Sequence, residues 1–483
     1  MAKESQEGLS ASKKDNFSIW YSEVVDKAEI TDLRYNVKGF VIIRPWGAMI
    51  MENMFRLYEK ALRKRGHKPS FFPVVIPEKN FKKESEHVKG FSPEVFWLEP
   101  IKGEDRLALR PTSETAMYQM YSLWIRSWRD LPFKLYQRAN VYRYETKATR
   151  PLIRSREFYW LEAHDCFATK EEAEEQVQED IRTTEEVMHK QFGIPFLPMK
   201  RPQWDKFAGA EYTIGSDSLM PDGKLIQQPS THLLGQHFSK AFDVKFKNKE
   251  GKEEFVWQTC YGPAISRILA SVISMHGDDA GLIIPYSITP FQVVLIPIFN
   301  AENKEKILKE TEKIQEKLEK LGISSEVDSR EKRPGEKYYE WELKGVPFRL
   351  EIGEKELENK ELTLFTRDTK EKEKIKISDL KKIAKLGIEF DKRLLEKADK
   401  FFVGRTVDCK TKQEVKKVVE EGKIARVSFC STEKDGVSCA EIIEKEINAD
   451  VRGTLANKNE KVFSKCPFCN REASKVVYIG RSY

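Results

Sequence analysis

The residues with the most chemistry per position lie between Asn140 and Asp165, in the run N-V-Y-R-Y-E-T-K-A-T-R-P-L-I-R-S-R-E-F-Y-W-L-E-A-H-D. Val141, Arg143 and Glu145 alternate on the way in; Phe158, Trp160, Glu162 and His164 alternate on the way out. Residues two apart in a strand share a face, so the run predicts two strands, each presenting one functional row to a cleft. Arg143 and Glu145 would face it from one strand, and Trp160, Glu162 and His164 from its neighbour. The connecting loop adds Lys147, Arg150, Arg154 and Arg156. A charge run is usually a solvated face, but these cations interleave with strand-forming aromatics and a carboxylate. The chemistry implied is a site for a polyanion beside a small cationic ligand.

Other candidates flank this run. In Arg110-Pro111-Thr112-Ser113-Glu114-Thr115-Ala116, Thr112 or Ser113 can cap the helix that follows; a hydroxyl and Glu114 at a helix entry can equally hold an amino group. The two readings are even. Lys224 to Phe238 carries Gln227, Ser230, Thr231, His232, Gln236 and His237. A lone histidine is more often structural than catalytic, yet several polar groups in one strand-like run tilt the reading toward a pocket wall. Arg267 enters the apolar run Ser266–Ile273, where an unpaired guanidinium is costly to bury and opposes the helix dipole. An anionic ligand such as a triphosphate resolves both problems, and a structural salt bridge is the competing account. Near the end, Cys430 and Cys439 precede Cys466-Pro467-Phe468-Cys469. The C-x2-C half is a strong zinc signal, and the eight-residue gap in the other half is wider than usual. Four sulfurs fit a tetrahedral structural Zn²⁺ and leave no position open for catalysis.

Positioning these groups takes more than one domain. A chain of 483 residues predicts two or three. Lys+Arg of 84 against Asp+Glu of 77 gives +7, which permits a nucleic-acid partner without demanding one. No run approaches the ~18 apolar residues of a membrane helix, and the polar first residues lack a signal-peptide core, so a soluble, cytoplasmic protein is expected. Seven cysteines in so long a chain are no disulfide framework; clustered in a reducing compartment, they suggest metal. Residues 1–16 read as a disordered tail. Ile50, Met54, Leu57 and Ala61 give an amphipathic helix over 48–64. It runs into an apolar strand, Phe71–Pro77, whose proline belongs at an edge or bulge. That pair could be an oligomer interface or plain core. Thr169-Lys170-Glu171-Glu172 is a capping box opening a helix that stops at Gly193. Beyond Pro285, strand 292–299, a charged helix through Ile307, Ile314 and Leu318, and strand 323–327 form a βαβ unit with a parallel sheet.

Together the motifs resemble class II aminoacyl-tRNA synthetases, and within them the prolyl-tRNA synthetases of the archaeal/eukaryotic type, over nearly the whole chain. The resemblance is carried by Arg-Pro-Thr-Ser-Glu-Thr at 110–115, Arg143-Tyr144-Glu145, Leu152-Ile153-Arg154-Ser155-Arg156-Glu157-Phe158, Gln258-Thr259-Cys260-Tyr261-Gly262, His276-Gly277-Asp278, Trp341-Glu342-Leu343-Lys344-Gly345-Val346-Pro347 and the terminal Gly480-Arg481-Ser482-Tyr483. It implies an α+β multidomain fold. A class II antiparallel sheet flanked by helices (17–285) would be followed by an α/β anticodon-binding domain (286–400) and a small α+β zinc-containing C-terminal domain (401–483). It also implies a homodimer that joins ATP, L-proline and tRNA(Pro), with no membrane partner.

The resemblance carries roles to single residues. Thr112 and Glu114 would hold the prolyl imino group, and Trp160, Glu162, His164 and His232 would close the pocket. Cys260 would lie near its floor, although buried cysteines are commonly inert. Arg143 would bind both the α-phosphate and the proline carboxylate. Glu145, Arg154 and Ser155 would contact ATP, Phe158 would stack on adenine, and Arg267 would grip the γ-phosphate. Gln227 and Ser230 would hold the nucleotide and, with Glu145, its Mg²⁺. Glu342, Arg349, Lys355 and Glu356 match positions that read anticodon guanines, and Tyr483 would tuck back toward the catalytic domain. The chain departs from the family pattern at Gln228-Pro229, in the spacing from Gly262 to Arg267, and at Glu356, where aspartate is common. The rival readings are a synthetase for another small amino acid such as threonine, and a tRNA-binding paralogue without activity. The residues around Thr112, Glu114 and Trp160 oppose the first, and intact Arg143 and Arg267 oppose the second.

Overall fold

A computed structural model describes residues 8–83 and 95–483. Helix α1 (Phe17–Lys27) is capped by Asn16, whose side chain accepts the Ile19 N–H. Helix α2 (Pro45–Lys64) starts three residues before the periodic run because Pro45 supplies the fixed φ of a first helical position. It buries Trp46, Ile50, Met54, Phe55, Tyr58 and Leu62. Residues Glu114–Trp124 form α3. Strands β1 (Phe133–Tyr142) and β2 (Glu157–Phe167) follow, then α4 (Lys170–Thr184), opened by the Thr169/Glu172 capping box. Strands β3 (Leu197–Lys200), β4 (Tyr212–Leu219), β5 (Leu225–Gly235) and β6 (Trp257–Gly262) precede α5 (Ile265–His276).

In space the order is β3-β4-β5-β6-β2-β1, antiparallel throughout, with Lys68–Pro69 pairing parallel to β1 at the edge. A large core under this sheet packs α1, α2 and α5 together through residues such as Trp20, Phe55 and Leu269.

The second unit contains β7 (Val293–Pro297), α6 (Lys304–Lys320), β8 (Ser325–Val327), α7 (Pro334–Lys344), β9 (Phe348–Ile352), α8 (Glu354–Asn359), β10 (Glu361–Thr366), β11 (Lys372–Lys376) and α9 (Lys382–Phe402). Its sheet runs β8-β7-β9-β10-β11, with β7 parallel to both neighbours. The last unit contains β12 (Thr406–Cys409), α10 (Lys412–Glu420), β13 (Ile424–Phe429), α11 (Val437–Ile447), β14 (Asp450–Leu455) and β15 (Lys475–Gly480). Its strands run β12-β13-β15-β14, and β14 then pairs with β3. The C-terminal unit therefore extends the first unit's sheet to 11 strands rather than standing apart from it.

Three sequence expectations change. Strand β1 ends at Tyr142, so Arg143 and Glu145 sit on the loop. Arg143 N–H still bonds Arg156 C=O at 2.9 Å, and the Glu145 carboxylate accepts the Lys147 N–H at 3.0 Å. The strand expected over Phe71–Pro77 is confined to Val75–Pro77, because Pro73 has no N–H to give a ladder. Of the tail expected over 1–16, residues 1–7 lie outside the described part. Gly8–Asn16 is packed: the Lys13 amine donates to Met275 C=O (3.2 Å) and Gly277 C=O (2.6 Å), capping the end of α5.

Candidate active site

Two cavities share a wall at the centre of the long sheet. The smaller, about 130 Å³, gathers Thr112, Glu114, Arg143, Trp160, Glu162, His164, His232 and Cys260. These eight include every residue the resemblance assigns to the amino acid. Trp160, Glu162 and His164 share one face of β2, as their alternation predicts. Cys260 lies directly across from His164 in the β2/β6 register, and His232 directly across from Cys260 in β5/β6. Gly262 lies close beside them: a Cβ there would come within 3.1 Å of the Trp160 ring, which would have to shift by a few tenths of an ångström.

Glu162 is fully buried and satisfied by polar neighbours. It accepts from Ser113 N–H (3.2 Å), Ser113 Oγ (2.5 Å), Gln137 Nε2 (2.6 Å) and pairs with His164 Nε2 (3.2 Å). Burial pushes its carboxyl upward, but His164, Ser113 and Arg110 outweigh that and hold it below the usual carboxylate range. For His164, burial favours the neutral ring, and Glu162, Glu114 and Asp165 reverse the balance and raise its pKa. His232, buried and facing the positive groups His164 and Arg143, drops to about 3 and is neutral. Burial and the Glu114 charge push the Cys260 thiol well up. Thr112 Oγ1 donates to Glu114 Oε2 at 2.5 Å, and Ser113 spends its hydroxyl on Glu162 instead of capping α3. No side chain caps α3, and Thr112 and Glu114 line the small cavity. A compact site with two carboxylates and an aromatic wall suits a small cationic ligand.

The larger cavity, about 790 Å³, is lined by Arg143, Glu145, Arg154, Ser155, Phe158, Gln227 and Arg267, with Trp204, Arg452 and Tyr483 on its far side. Ser230 lies in the smaller cavity and accepts from Gln227 Nε2 at 2.6 Å. Arg267 is held by Gln227 C=O (3.0 Å) and Ile153 C=O (3.3 Å). Among the described residues no carboxylate reaches it, which removes the salt-bridge account. Burial and the nearby Arg143 and Arg154 guanidinium groups depress its pKa to about 10. It remains a cation at neutral pH, in a position that an anion would relieve. Arg143 donates to Pro111 C=O at 3.2 Å, its guanidinium 5.3 Å from the Phe158 ring centre. Burial opposes ionisation of Glu145, but the Lys147 N–H and Arg154 (3.1 Å) hold it ionised.

Of the loop cations, only Arg154 joins Arg143 at the cavity. Arg150 packs on the Tyr21 ring (4.8 Å) and Arg156 on the Tyr144 ring (4.2 Å), so the basic loop is not one continuous anion surface. The chain end does fold back. Tyr483 OH donates to Asp222 at 2.7 Å, and Arg154 bonds the Tyr483 C=O. Gln228-Pro229 occupies a β-bulge in the β4/β5 pairing, where a residue without N–H costs no ladder bond.

A further network was not legible in the sequence. Asp217 on β4 accepts two N–H groups from Arg201 (2.8 and 2.6 Å) and two from Arg452 on β14 (2.8 and 3.1 Å). Burial resists its charge, but the two arginines pull it down to about 2. Arg201 also donates to Gln227 Oε1 at 3.0 Å, linking the clamp to the cavity wall.

The four candidate zinc ligands converge. Cys430, Cys439, Cys466 and Cys469 offer sulfurs within 4.8 Å of one another, with Cys430–Cys439 at 3.7 Å and Cys439–Cys466 at 4.0 Å. Sulfurs ~2.3 Å from a tetrahedral centre stand about 3.8 Å apart, so the set fits Zn²⁺. The wide spacing reflects placement: Cys430 follows β13 and Cys439 sits in the first turn of α11. Arg471 donates to both Cys430 and Cys469 at 3.3 Å, a charge-assisted outer contact.

In the α/β unit, Glu342 and Arg349 meet at 2.6 Å. Arg349 also reaches Glu351 at 3.1 Å and stacks over Tyr338 (3.9 Å) and Phe365 (4.2 Å). Lys355 is exposed on α8, and Glu356 pairs with Lys374 at 3.2 Å. Tyr338, Glu351 and Phe365 surround Arg349 with no local sequence signal to mark them.

Comparison with known proteins agrees along the chain. Residues 96–276 match the tRNA synthetase class II core domain (G, H, P, S and T), 292–385 an anticodon binding domain, and 412–483 the prolyl-tRNA synthetase C-terminal family. A proline–tRNA ligase of Thermofilum pendens is 48% identical, covering 99% of this chain and 100% of that one. One of Methanococcoides burtonii is 44% identical over all of both chains. Giardia lamblia prolyl-tRNA synthetase, solved with prolyl-adenylate, superposes with a TM-score of 0.93 at 38% identity, covering 98% of this chain and 100% of that one. The Cryptosporidium parvum enzyme with L-proline and AMP gives a TM-score of 0.88 at 33% identity, covering 99% of each chain.

Proposed function

The chain belongs to the prolyl-tRNA synthetases, the class II proline–tRNA ligases, and from that premise we propose which of its residues carry the reaction. The enzyme activates proline with ATP and transfers the prolyl group to tRNA. We assign the small cavity to L-proline and the large one to ATP. The observation that carries this division is the shared wall: Arg143, Phe158, Gln227 and Arg267 line both cavities. A nucleophile on one side and an α-phosphate on the other would meet there.

Proline's imino group sits between Glu114, Thr112 and the Glu162–His164 pair, and Trp160 and Cys260 bound the ring. Arg143 binds the proline carboxylate and the α-phosphate together. The carboxylate attacks phosphorus in line and pyrophosphate leaves. No side-chain nucleophile takes part; the rate comes from alignment and from fixed cations where charge develops. Phe158 stacks on adenine, Glu145, Arg154 and Ser155 hold the nucleotide, and Arg267 grips the γ-phosphate. Glu145 and Gln227, with Ser230 behind, supply oxygens suited to the Mg²⁺ that ATP carries. The 3′-terminal ribose hydroxyl of tRNA(Pro) then attacks the prolyl-adenylate. Glu342, Arg349, Lys355 and Glu356 read the anticodon bases. The four cysteines hold a structural Zn²⁺. The enzyme acts as a homodimer. The site of action is the cytoplasm, in keeping with translation and with reduced cysteines; among the described residues no helix is long and apolar enough to cross a membrane.

The test is Arg143→Ala in proline-dependent ATP–pyrophosphate exchange. Losing a preorganised cation at the reacting phosphate predicts a fall of at least ~10²–10³ in kcat, with an unchanged melting temperature. Near-normal exchange would sink the assignment.

A further inference from the structure

Glu114, His164 and Cys260 bring three metal-ligand types to one place: their ligand atoms all lie within 4.8 Å of one another, and all three residues are buried. Carboxylate, imidazole and thiol is a donor set that Zn²⁺ accepts, and three protein ligands leave its fourth position open. The scaffold is rigid. His164 and Cys260 are direct cross-strand partners, and Glu114 opens α3 against them.

The electrostatics favour a cation. Glu114 and Glu162 are both about 1% exposed; Glu162 is paired with His164, and among the described residues Glu114 is ion-paired to no lysine or arginine. Outer contacts that orient metal ligands are also in place. The Tyr118 hydroxyl meets His164 Nδ1 at 3.0 Å, leaving Nε2, whose contact to Glu162 is the longer at 3.2 Å. Thr112 occupies Oε2 of Glu114, and the Cys260 thiol is already hydrogen-bonded to the same carboxylate.

We propose that this pocket is also an inhibitory site for a thiophilic divalent cation such as Zn²⁺ or Cd²⁺, bound by Cys260 Sγ, His164 Nε2 and Glu114. As the metal–sulfur and metal–nitrogen bonds form, the cation sheds water, the Cys260 thiol proton and the proton held between His164 Nε2 and Glu162 pass to solvent, and the Nε2–Glu162 contact opens. The bound cation occupies the place of the substrate's cationic nitrogen. Competition with proline rests on the pocket assignment above; the binding itself does not.

The experiment uses full-length enzyme with its cysteine cluster already loaded. Equilibrium dialysis with Zn²⁺ is expected to find one equivalent beyond that complement, and Co²⁺ as probe to show a thiolate-to-metal charge-transfer band. Both are lost at least tenfold in affinity in Cys260→Ser. Should that variant fold poorly, Tyr118→Phe, which leaves all three ligands in place, is expected to weaken Zn²⁺ by ~10–100-fold. In exchange assays Zn²⁺ raises KM for proline without changing kcat. No additional equivalent, or equal affinity in wild type and both variants, overturns the proposal. Metal that binds at Cys260 yet is not displaced by saturating proline overturns the pocket assignment instead.

Discussion

The buried clamp on Asp217 makes the sharpest quantitative prediction. In Arg452→Met, Asp217 keeps its bidentate partner Arg201 but loses two charge-assisted bonds, each worth ~1.5–3 kcal/mol. Asp217 is 1% exposed, so water cannot replace them, and a loss of ~3–5 kcal/mol follows. Asp217→Asn is expected to cost more, because it leaves two buried guanidinium groups side by side with only Asp205, 3.8 Å from Arg201, as a nearby carboxylate. Adding Arg452→Met to Asp217→Asn then removes one stranded cation, and the double variant should be more stable than Asp217→Asn alone. That reversal of sign distinguishes a coupled clamp from two independent packing sites. Function follows through Arg201, whose Nη2 also holds Gln227 Oε1 at 3.0 Å; KM for ATP in Arg452→Met should rise ~10-fold while KM for proline moves less. Urea melts of the three variants beside pyrophosphate-exchange kinetics supply both readouts. Additive stabilities would refute the clamp.

Three further outcomes follow. Asp180, buried near Asp165, has its carboxyl pushed up to about 7, first by burial and then by the Asp165 charge. A raised folded-state pKa contributes stability below the unfolded value of 3.8 that is lost as pH rises toward 7. Asp180→Asn, which mimics the neutral acid, should therefore be more stable than wild type at pH 8 by at most ~4 kcal/mol, with the gap closing near pH 4; parallel melts that never diverge would contradict this. Cys466→Ser should lose about one equivalent of zinc on metal analysis, because three thiolates no longer close a structural site; undiminished metal would count against it. Arg349→Ala should lower kcat/KM for tRNA charging by ~1–3 kcal/mol in transition-state terms and leave proline-dependent exchange intact. An equal fall in exchange would place Arg349 in the structural frame rather than in RNA reading.

Much of the site was legible because its chemistry follows short-range periodicity. Trp160, Glu162 and His164 alternate, so any strand there puts them on one face, and the strand forms where its aromatic and apolar residues predict. The capping box at Thr169, the βαβ unit and the C-x2-C pair are equally local. The limits of that reading are physical too. Arg143 and Glu145 alternate like strand residues, but Glu145 spends its carboxylate on the Lys147 N–H and the strand stops at Tyr142. Gly8–Asn16 has a tail's composition and is held by carbonyls at the end of α5. Ser113 has a cap's position and serves Glu162.

Residue type and spacing by themselves thus determined that Trp160, Glu162 and His164 share a face and that four cysteines could meet, while the family and the unit order came from the resemblance of whole motifs. Only the tertiary structure decided that the C-terminal unit continues the catalytic sheet, that Tyr483 closes onto Arg154, and that Asp217 is gripped by an arginine 235 residues away. Periodicity records which face a residue takes on its own element. Which distant strand lies beside it depends on the sum of packing across the whole sheet, and leaves no mark in the neighbouring residues.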